Sequence, residues 1–213
     1  MKYLREFDLD APHMQTRRVE FRRQTRCLCA LYERVFGKHR VGNYWKVLVE
    51  CVTHDRRVGH LDLLGVCTVQ VVAGPEEFFD LSDEGKKRWA LDALTSGINA
   101  LISELEWDPR PFEKARGAVL AVGLRNEWLW NRPVYSPSRR MKASVFCEHD
   151  VTAFHISILV SSTEGRELAR QRVLSEVPDE LLYVRHLGRL RWASAEEVRL
   201  FNKSGNVVAS LRL

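Results

Sequence analysis

The sequence predicts an α+β protein in which helices pack on a mainly antiparallel, meandering β-sheet. Apolar residues recur at helical spacing in three segments of the first 122 residues, whereas they alternate with polar residues in most segments from Trp128 onward. Turn residues separate neighbouring segments at short intervals. The 213 residues are 45% hydrophobic and 29% charged, which is ordinary for a globular protein and excludes collagen-like, disordered and disulfide-scaffold classes.

The first predicted helix covers Gln15–Phe36. Phe21, Leu28 and Val35 recur every seven residues and indicate one apolar face, while Gly37 supplies a stop signal at the C-terminus. The opposite face of this helix carries five arginines, which are Arg17, Arg18, Arg22, Arg23 and Arg26.

Two strands are predicted after this helix, at Asn43–Thr53 and Leu63–Ala73. In the first of them, Val47 and Val49 occupy alternate positions, as in a half-buried strand. A short polar stretch that contains Gly59 separates the two strands. Since a connection of this length suits antiparallel neighbours, the sequence predicts a β-hairpin.

Two further helices are predicted before residue 123. Ser82 is a candidate N-cap, and Asp83 follows it in the first turn, where a carboxylate favours the positive end of the helix dipole. Apolar residues then recur at three- and four-residue steps over Leu91–Leu105. Asp108–Pro109 is typical of an N-cap followed by the first helical residue, so the next helix is expected to run from there towards Val122.

The remainder of the chain is predicted to be almost entirely strand. The predicted segments are strands at Arg139–Glu148, Thr152–Ser162, Arg166–Val177, Arg189–Trp192, Glu197–Phe201 and Val207–Leu213, with a short segment at Leu181–Tyr183. Residues 1–213 are expected to form a single domain, because no repeat, low-complexity tract or linker interrupts them. The stretch Asn131–Ser138 is the candidate boundary between two halves.

The sequence predicts a cytoplasmic protein with no membrane segment. Arg5, Glu6 and Asp8 lie where a secretion signal needs an apolar run, and no stretch approaches the roughly 18 apolar residues of a membrane helix. An odd number of cysteines without a secretory context indicates free thiols in a reducing compartment. The five cysteines are Cys27, Cys29, Cys51, Cys67 and Cys147.

The sequence contains no recognised catalytic motif, whether a nucleophile elbow, a phosphate-binding loop, a dinucleotide-binding glycine pattern or a zinc-binding HExxH. His54, Asp55, His60 and Asp62 crowd one predicted loop, where four such ligands could converge on a metal. The preferred interpretation is that they are solvated or paired turn residues. His155 is likewise interpreted as solvated or paired across strands rather than as a catalytic base. We therefore expect no enzyme, no cofactor and no metal site.

Charge is unevenly distributed along the chain. Lys and Arg total 33 against 28 Asp and Glu, which gives a net charge of +5, and 25 of the 33 basic residues are arginine. Residues 1–40 contain ten basic and five acidic residues, residues 74–108 contain three and nine, and residues 110–142 contain eight and two. A protein with faces of both signs suits recognition of another protein better than a uniformly basic surface does.

Two charged patches are candidate partner-binding surfaces. The arginine face of the first helix could bind nucleic acid, although Phe21 between the arginines belongs to the apolar face and no known nucleic-acid-binding pattern accompanies it. An acidic stretch, with Phe78, Phe79 and Trp89 at its rim, could dock a basic protein. A solvated surface is the alternative for both patches. The candidate residues are Glu76, Glu77, Asp80, Asp83, Glu84, Arg18, Arg22 and Arg23.

Two segments resemble small bacterial proteins of the immunity type. They are FFDLSDEGKKRWALDALTSGI at Phe78–Ile98 and LGRLRW at Leu187–Trp192. Such proteins are antidotes encoded beside polymorphic or contact-dependent toxins. The resemblance implies a cytoplasmic, single-domain α+β binder that occludes or sequesters one cognate toxin, and it assigns no functional residue. The leading hypothesis is therefore a non-enzymatic immunity protein, and the alternative is a nucleic-acid-binding accessory protein that uses the arginine face.

Overall fold

A computed structural model describes residues 2–54 and 57–213, and it confirms the α+β class. The elements in chain order are β1 (Glu6–Asp10), α1 (Arg18–Phe36), β2 (Lys46–Val52), β3 (His60–Leu63), β4 (Val66–Val72), α2 (Asp83–Leu105), α3 (Arg110–Ala121), β5 (Asn126–Tyr135), β6 (Met141–His149), β7 (Phe154–Ser162), β8 (Glu167–Glu176), α4 (Glu180–Tyr183), β9 (Arg189–Trp192), β10 (Glu197–Phe201) and β11 (Val207–Arg212). The strands form three sheets rather than one. No helix in the described ranges combines the length and the apolarity needed to cross a lipid bilayer.

The chain divides into two compact units, one ending at Asn126 and the other beginning at Glu127. Each unit has its own cluster of buried apolar side chains. The division lies a few residues before the predicted boundary at Asn131–Ser138, most of which belongs to the long strand β5. The single domain over residues 1–213 stays a prediction.

The first unit is a four-stranded sheet that packs on α1 and α2, while α3 packs on these two helices. Its strand order is β1-β2-β4-β3, and buried positions alternate along β2 and β4, so one face of the sheet supplies the core. Phe7, Val49 and Val69 on that face are at most 3% exposed, as are Leu28 of α1 and Leu94 of α2. The helices thus cover the apolar face and leave the polar face of the sheet uncovered by them.

The predicted antiparallel hairpin between the two strands that follow α1 is wrong. β2 and β4 pair in parallel, with Lys46 opposite Val66. The chain reverses through β3, which pairs antiparallel with β4 across a turn in which Leu64 and Gly65 have φ values of +54° and +84°. Parallel strands usually have both faces covered, but one face of this sheet is polar, so its strands alternate in sequence as antiparallel strands do.

The helix α1 differs from its prediction at one end only. The sequence predicts a start at Gln15, but residues Pro12–Arg17 form a 3-10 helix and the α-helix begins at Arg18. Gln15 has φ of +36° and ψ of −94°, which no α-helix accommodates. The predicted stop is confirmed, because Gly37 has φ of +73° and its N–H bonds to the Glu33 carbonyl at 2.9 Å.

The helices α2 and α3 form where the sequence predicts them. The Ser82 hydroxyl accepts a hydrogen bond from the N–H of Gly85 at 3.2 Å, which confirms the predicted N-cap of α2. Midway along α2, Gly97 faces Val49, and a Cβ at this glycine would lie 2.5 Å from Cγ2 of that valine. The helix therefore approaches β2 more closely than any larger residue at that position allows. The helix α3 begins at Arg110, one residue after the predicted first helical position.

The second unit contains two sheets that share one core. Their strand orders are β5-β6-β7-β8 and β11-β10-β9, and β6–β7, β7–β8, β9–β10 and β10–β11 are antiparallel. Val145 and Ile156 of the larger sheet pack in one cluster with Val198 of the smaller. Tyr183 of α4 stacks on Phe154 with ring centroids 3.5 Å apart. The bounds of β9 and β10 agree with the prediction.

Candidate functional site

An aromatic cluster joins the start of α1 to the acidic stretch that precedes α2. The ring centroid of Phe21 lies 5.1 Å from that of Phe78 and 5.7 Å from that of Trp89. Phe78 is fully buried, and Phe79 and Trp89 are partly buried, so these three rings hold the stretch in place. Burial removes Phe78 from the expected aromatic rim, whereas Phe79 and Trp89 keep part of their surface exposed.

Polar contacts also connect the start of α1 to the acidic stretch that precedes α2, and we call this contact region the junction. The guanidinium of Arg17 lies 3.4 Å from the ring centroid of Phe79, and Nε2 of His13 lies 2.9 Å from Oε1 of Glu76. The Thr53 hydroxyl donates to the same carboxylate oxygen at 2.7 Å. The hydrogen bonds from Thr53 and then His13 lower the pKa of Glu76. The basic and acidic patches, which are about 60 residues apart in sequence, therefore lie side by side.

The carboxylates that follow Glu76 face water. Glu77, Asp80, Asp83 and Glu84 are all exposed. Of these four, Glu84 forms an exposed ion pair with Arg88 one turn later in α2, at 3.4 Å. This cluster of acids is thus presented to solvent at the end of β4 and the start of α2, where it is free to meet a cationic partner.

Arg18 forms an ion pair with a carboxylate of its own unit. Its Nε and Nη2 donate to the two oxygens of Asp10 at 2.9 Å and 2.6 Å. Asp10 is only 3% exposed, and its hydrogen bonds and charge raise the pKa of the Arg18 guanidinium. The arginine side chain is 44% exposed, so its outer edge still faces solvent although its charge is largely neutralised.

Arg26 has a structural role at the edge of the sheet. It donates to both carboxylate oxygens of Glu33 at 2.9 Å and 2.7 Å, and to the carbonyl of Phe7 at 3.2 Å. Glu33 in turn accepts the N–H of Phe7 at 2.9 Å. Both side chains are more than four-fifths buried. Together they satisfy the outward N–H and C=O of Phe7 on the edge strand β1, and paired groups at this position cannot pair with another strand.

Burial dominates the electrostatics of this pair. The pKa of Glu33 is raised by its removal from water, and the guanidinium of Arg26 offsets that effect only in part. Arg26 also contacts Asp8 at 3.2 Å, and Lys46 forms a further ion pair with Asp8. The charge of Arg26 is therefore paired with acids of the first unit.

The two remaining arginines of the predicted face differ in exposure. Arg22 is exposed and Arg23 is half-buried. Val19 is 59% exposed and lies one turn before them on the same side of α1. The arginine face offers less available charge than its sequence indicates, because Arg17, Arg18 and Arg26 contact carboxylates of the same unit, namely Glu20, Asp10 and Glu33.

His60 and Asp62 of the predicted histidine loop have separate contacts. Nδ1 of His60 lies 2.7 Å from Oε1 of Glu104 in α2, and Nε2 lies 3.3 Å from the Tyr44 hydroxyl. The carboxylate of Asp62 instead accepts the N–H of Gly65 in the β3–β4 turn at 3.3 Å. Asp55 lies outside the described residues. Over residues 2–54 and 57–213, no group of three or more His, Cys, Asp and Glu side chains could hold a metal ion.

The other predicted side chains have ordinary structural surroundings. Nδ1 of His155 lies 2.8 Å from the hydroxyl of Ser175, its partner in the adjacent strand, which confirms the cross-strand interpretation. Burial is the main cause that lowers the pKa of His155. All five cysteines are buried, and among the described residues they form no disulfide. Burial raises the pKa of the Cys67 thiol to about 12, so this thiol is a packing group rather than a nucleophile.

The first unit contains a basic cleft that the sequence does not predict. Five residues line this cavity of about 390 Å³, which are Lys2, Tyr3, Arg5, Lys38 and Trp45. The two segments that contribute these residues, 2–5 and 38–45, lie more than 30 residues apart, so no local sequence pattern predicts the cleft. The only signal in the sequence is the pairing of basic with aromatic residues in each segment.

Comparisons of the chain with known protein families, with curated proteins and with solved structures find no match. The resemblance to immunity-type proteins therefore stays a prediction. Two surfaces of the first unit bear on function: the junction of acidic and basic residues, and the basic cleft.

Proposed function

We propose that this chain is a non-enzymatic bacterial immunity protein that acts in the cytoplasm by binding one cognate toxin. The binding surface is the junction between α1 and the acidic stretch. Its candidate residues are Glu76, Glu77, Asp80, Asp83, Glu84, Arg18, Arg22 and Arg23. The observation that carries the proposal is the contact of Arg17 with Phe79 and of His13 with Glu76, which brings the two charged patches into one surface.

The composition of this surface suits a protein partner. Protein interfaces combine exposed apolar side chains with charges that set orientation and accelerate encounter. Here Val19 and Leu81 are 59% and 36% exposed, and each lies beside charged candidates in sequence. A partner that complements this surface needs basic groups opposite the carboxylates and an acidic group opposite Arg22.

Nucleic-acid binding through the arginine face has less support. A nucleic-acid-binding helix offers its cations to phosphates, but Arg18 and Arg26 are used by Asp10 and Glu33. The neighbouring carboxylates at Glu77 and Asp80 would also repel a polyanion.

The test measures binding to the protein encoded by the neighbouring reading frame, together with rescue from its toxicity on co-expression. Changing Glu77→Lys and Asp80→Lys together is expected to weaken binding by about tenfold or more, mainly through slower association that depends on salt. Glu127→Lys with Glu196→Lys, two exposed acids of the second unit, is the matched control. A neighbour that is not toxic, or a double variant that binds like the control, would contradict the proposal.

A further inference from the structure

The basic cleft is built by two segments that hydrogen bonds hold together. The N–H of Leu4 donates to the His39 carbonyl at 2.8 Å, and the N–H of His39 donates back at 3.3 Å. On the opposite side, the indole N–H of Trp45 and the ammonium of Lys2 both donate to the Leu64 carbonyl, at 3.1 Å and 3.0 Å. The cleft is therefore a fixed part of the first unit.

Of the five described residues that line the cleft, three are cationic and none is acidic. Lys38 is exposed and forms no side-chain hydrogen bond or ion pair with any described residue. Arg5 has one contact with an acid, 3.6 Å from Glu6, and that pair is largely solvated. The ammonium group of Lys2 donates one of its three N–H groups to the Leu64 carbonyl. Like charges gathered in a concave site repel one another and favour an anionic ligand.

The other two lining residues are aromatic. Trp45 is held by its indole hydrogen bond, and Tyr3 is 44% exposed. The guanidinium carbon of Arg40 lies 5.2 Å from the Tyr3 ring centroid, and its Nη2 donates to the Tyr3 hydroxyl at 3.2 Å. Arg40 thus steadies Tyr3 and adds positive charge next to the cleft. Ring faces of this kind stack on planar rings and are not needed to bind a bare anion.

We propose that this cleft binds a nucleotide, with its phosphates at Lys2, Arg5 and Lys38 and its base against Tyr3 or Trp45. The cavity of about 390 Å³ lies in the range of small-ligand sites. Lysine and arginine are the side chains that bind phosphate oxygens through charge-assisted hydrogen bonds. The same chemistry is present in a free nucleotide and at the 5′-phosphorylated end of a single strand. The proposal does not rest on toxin binding, because the two surfaces share no residue.

Calorimetric titration of the full chain tests the proposal. The purification tag is placed at the C-terminus, because Lys2 and Tyr3 line the cleft. The probes are ADP, inorganic phosphate and a 5′-phosphorylated oligonucleotide of three nucleotides. ADP is expected to bind at least about tenfold more tightly than phosphate, because stacking adds to the charge contacts. Equal affinities for ADP and phosphate, or no binding of any probe at millimolar concentration, would overturn the proposal.

Variants assign the binding to the cleft and identify its source. Lys38→Gln is expected to weaken ADP binding by about tenfold, whereas Lys203→Gln, an exposed lysine of the second unit, should leave it unchanged. ADP affinity that is insensitive to Lys38→Gln would contradict the assignment. An oligonucleotide that binds more tightly than ADP supports a strand end as the ligand, and the reverse order supports a free nucleotide. Toxin rescue by Lys38→Gln should be unaffected, so failure of one proposal is distinguishable from failure of the other.

Discussion

Two groups of cations in the first unit have opposite surroundings. Arg18 and Arg26 of α1 meet carboxylates of the same unit, and the acids that accept them are at least four-fifths buried. Lys2 and Lys38 line a cleft without an acidic residue. Both groups belong to the same basic segment of the sequence. The difference shows that a net charge indicates neither where a cation points nor whether its charge is available to a partner.

The largest loss of stability is expected at Arg26, the more buried of the two paired arginines. Arg26→Met leaves Glu33 and Asp8 in a poorly solvated site without their guanidinium, and it exposes the Phe7 carbonyl at the edge of β1. We expect the free energy of unfolding to fall by about 3 kcal/mol, since removing one partner strands the other charge. Urea denaturation followed by circular dichroism measures this loss.

A double variant separates lost charge pairing from lost packing at the same place. Arg26→Met with Glu33→Leu removes both charges, and it should recover part of the stability lost in the single variant. Full recovery is not expected, because the Phe7 N–H then lacks its acceptor. A loss below about 1 kcal/mol in the single variant would mean that the pair does not secure the edge of β1.

The next effect compares two arginines of one helix. Arg18→Ala removes two hydrogen bonds from the buried Asp10, and among the described residues the N–H of Ala11 is then its remaining donor. We expect a loss of about 1–2 kcal/mol, less than at Arg26 because the Arg18 side chain is half-exposed and water can replace part of the contact. Arg22→Ala is the matched control, with an expected change below about 0.5 kcal/mol. Thermal denaturation measures the stability of both variants. Equal losses of stability would show that the contact with Asp10 does not distinguish Arg18 from Arg22.

Much of this fold could be predicted from the sequence because its signals are local. The N-cap at Ser82, the stop at Gly37 and the bounds of β9 and β10 depend on residues within a few positions of each other. The parallel pairing of β2 with β4 could not be predicted in the same way. Alternation in these strands reports that one sheet face is polar, and it does not report strand direction.

The candidate surfaces were predictable only in part, for the same reason. The acidic stretch and the arginine face are each contiguous in sequence, but their adjacency depends on the packing of Phe21 on Phe78. The strand β1 went unpredicted, although Glu6–Asp10 alternates. Because β1 delivers Asp8 and Asp10 to the arginines of α1, missing it also meant missing that these arginines are neutralised.

A smaller effect tests the junction through pH. Hydrogen bonds lower the folded-state pKa of Glu76 below its usual value of 4.5, so its contribution to stability is present above that pH. The contribution is lost as the pH falls below 4.5 through the lowered pKa of the folded state. We expect wild type to exceed Glu76→Gln by less than about 1 kcal/mol at pH 6, because the pair is half-exposed. The difference should shrink towards pH 3 in paired denaturation curves, and a difference that grows on acidification contradicts this assignment.

The smallest effect is expected in the cleft, and its sign is informative. A cation that pairs with nothing contributes no attraction to lose, and its repulsion by Lys2 and Arg5 opposes folding slightly. Lys38→Gln should therefore leave the stability of the ligand-free protein unchanged or raise it by up to about 0.5 kcal/mol. Any gain should vanish in about 1 M salt, where screening extends over only about 3 Å. Thermal denaturation at two salt concentrations measures this. A loss above about 1 kcal/mol would place Lys38 with Arg18 and Arg26, as a residue that stabilises the fold. If Lys38 serves to bind a ligand, Lys38→Gln should lose ADP binding while its free energy of unfolding changes by nearly zero.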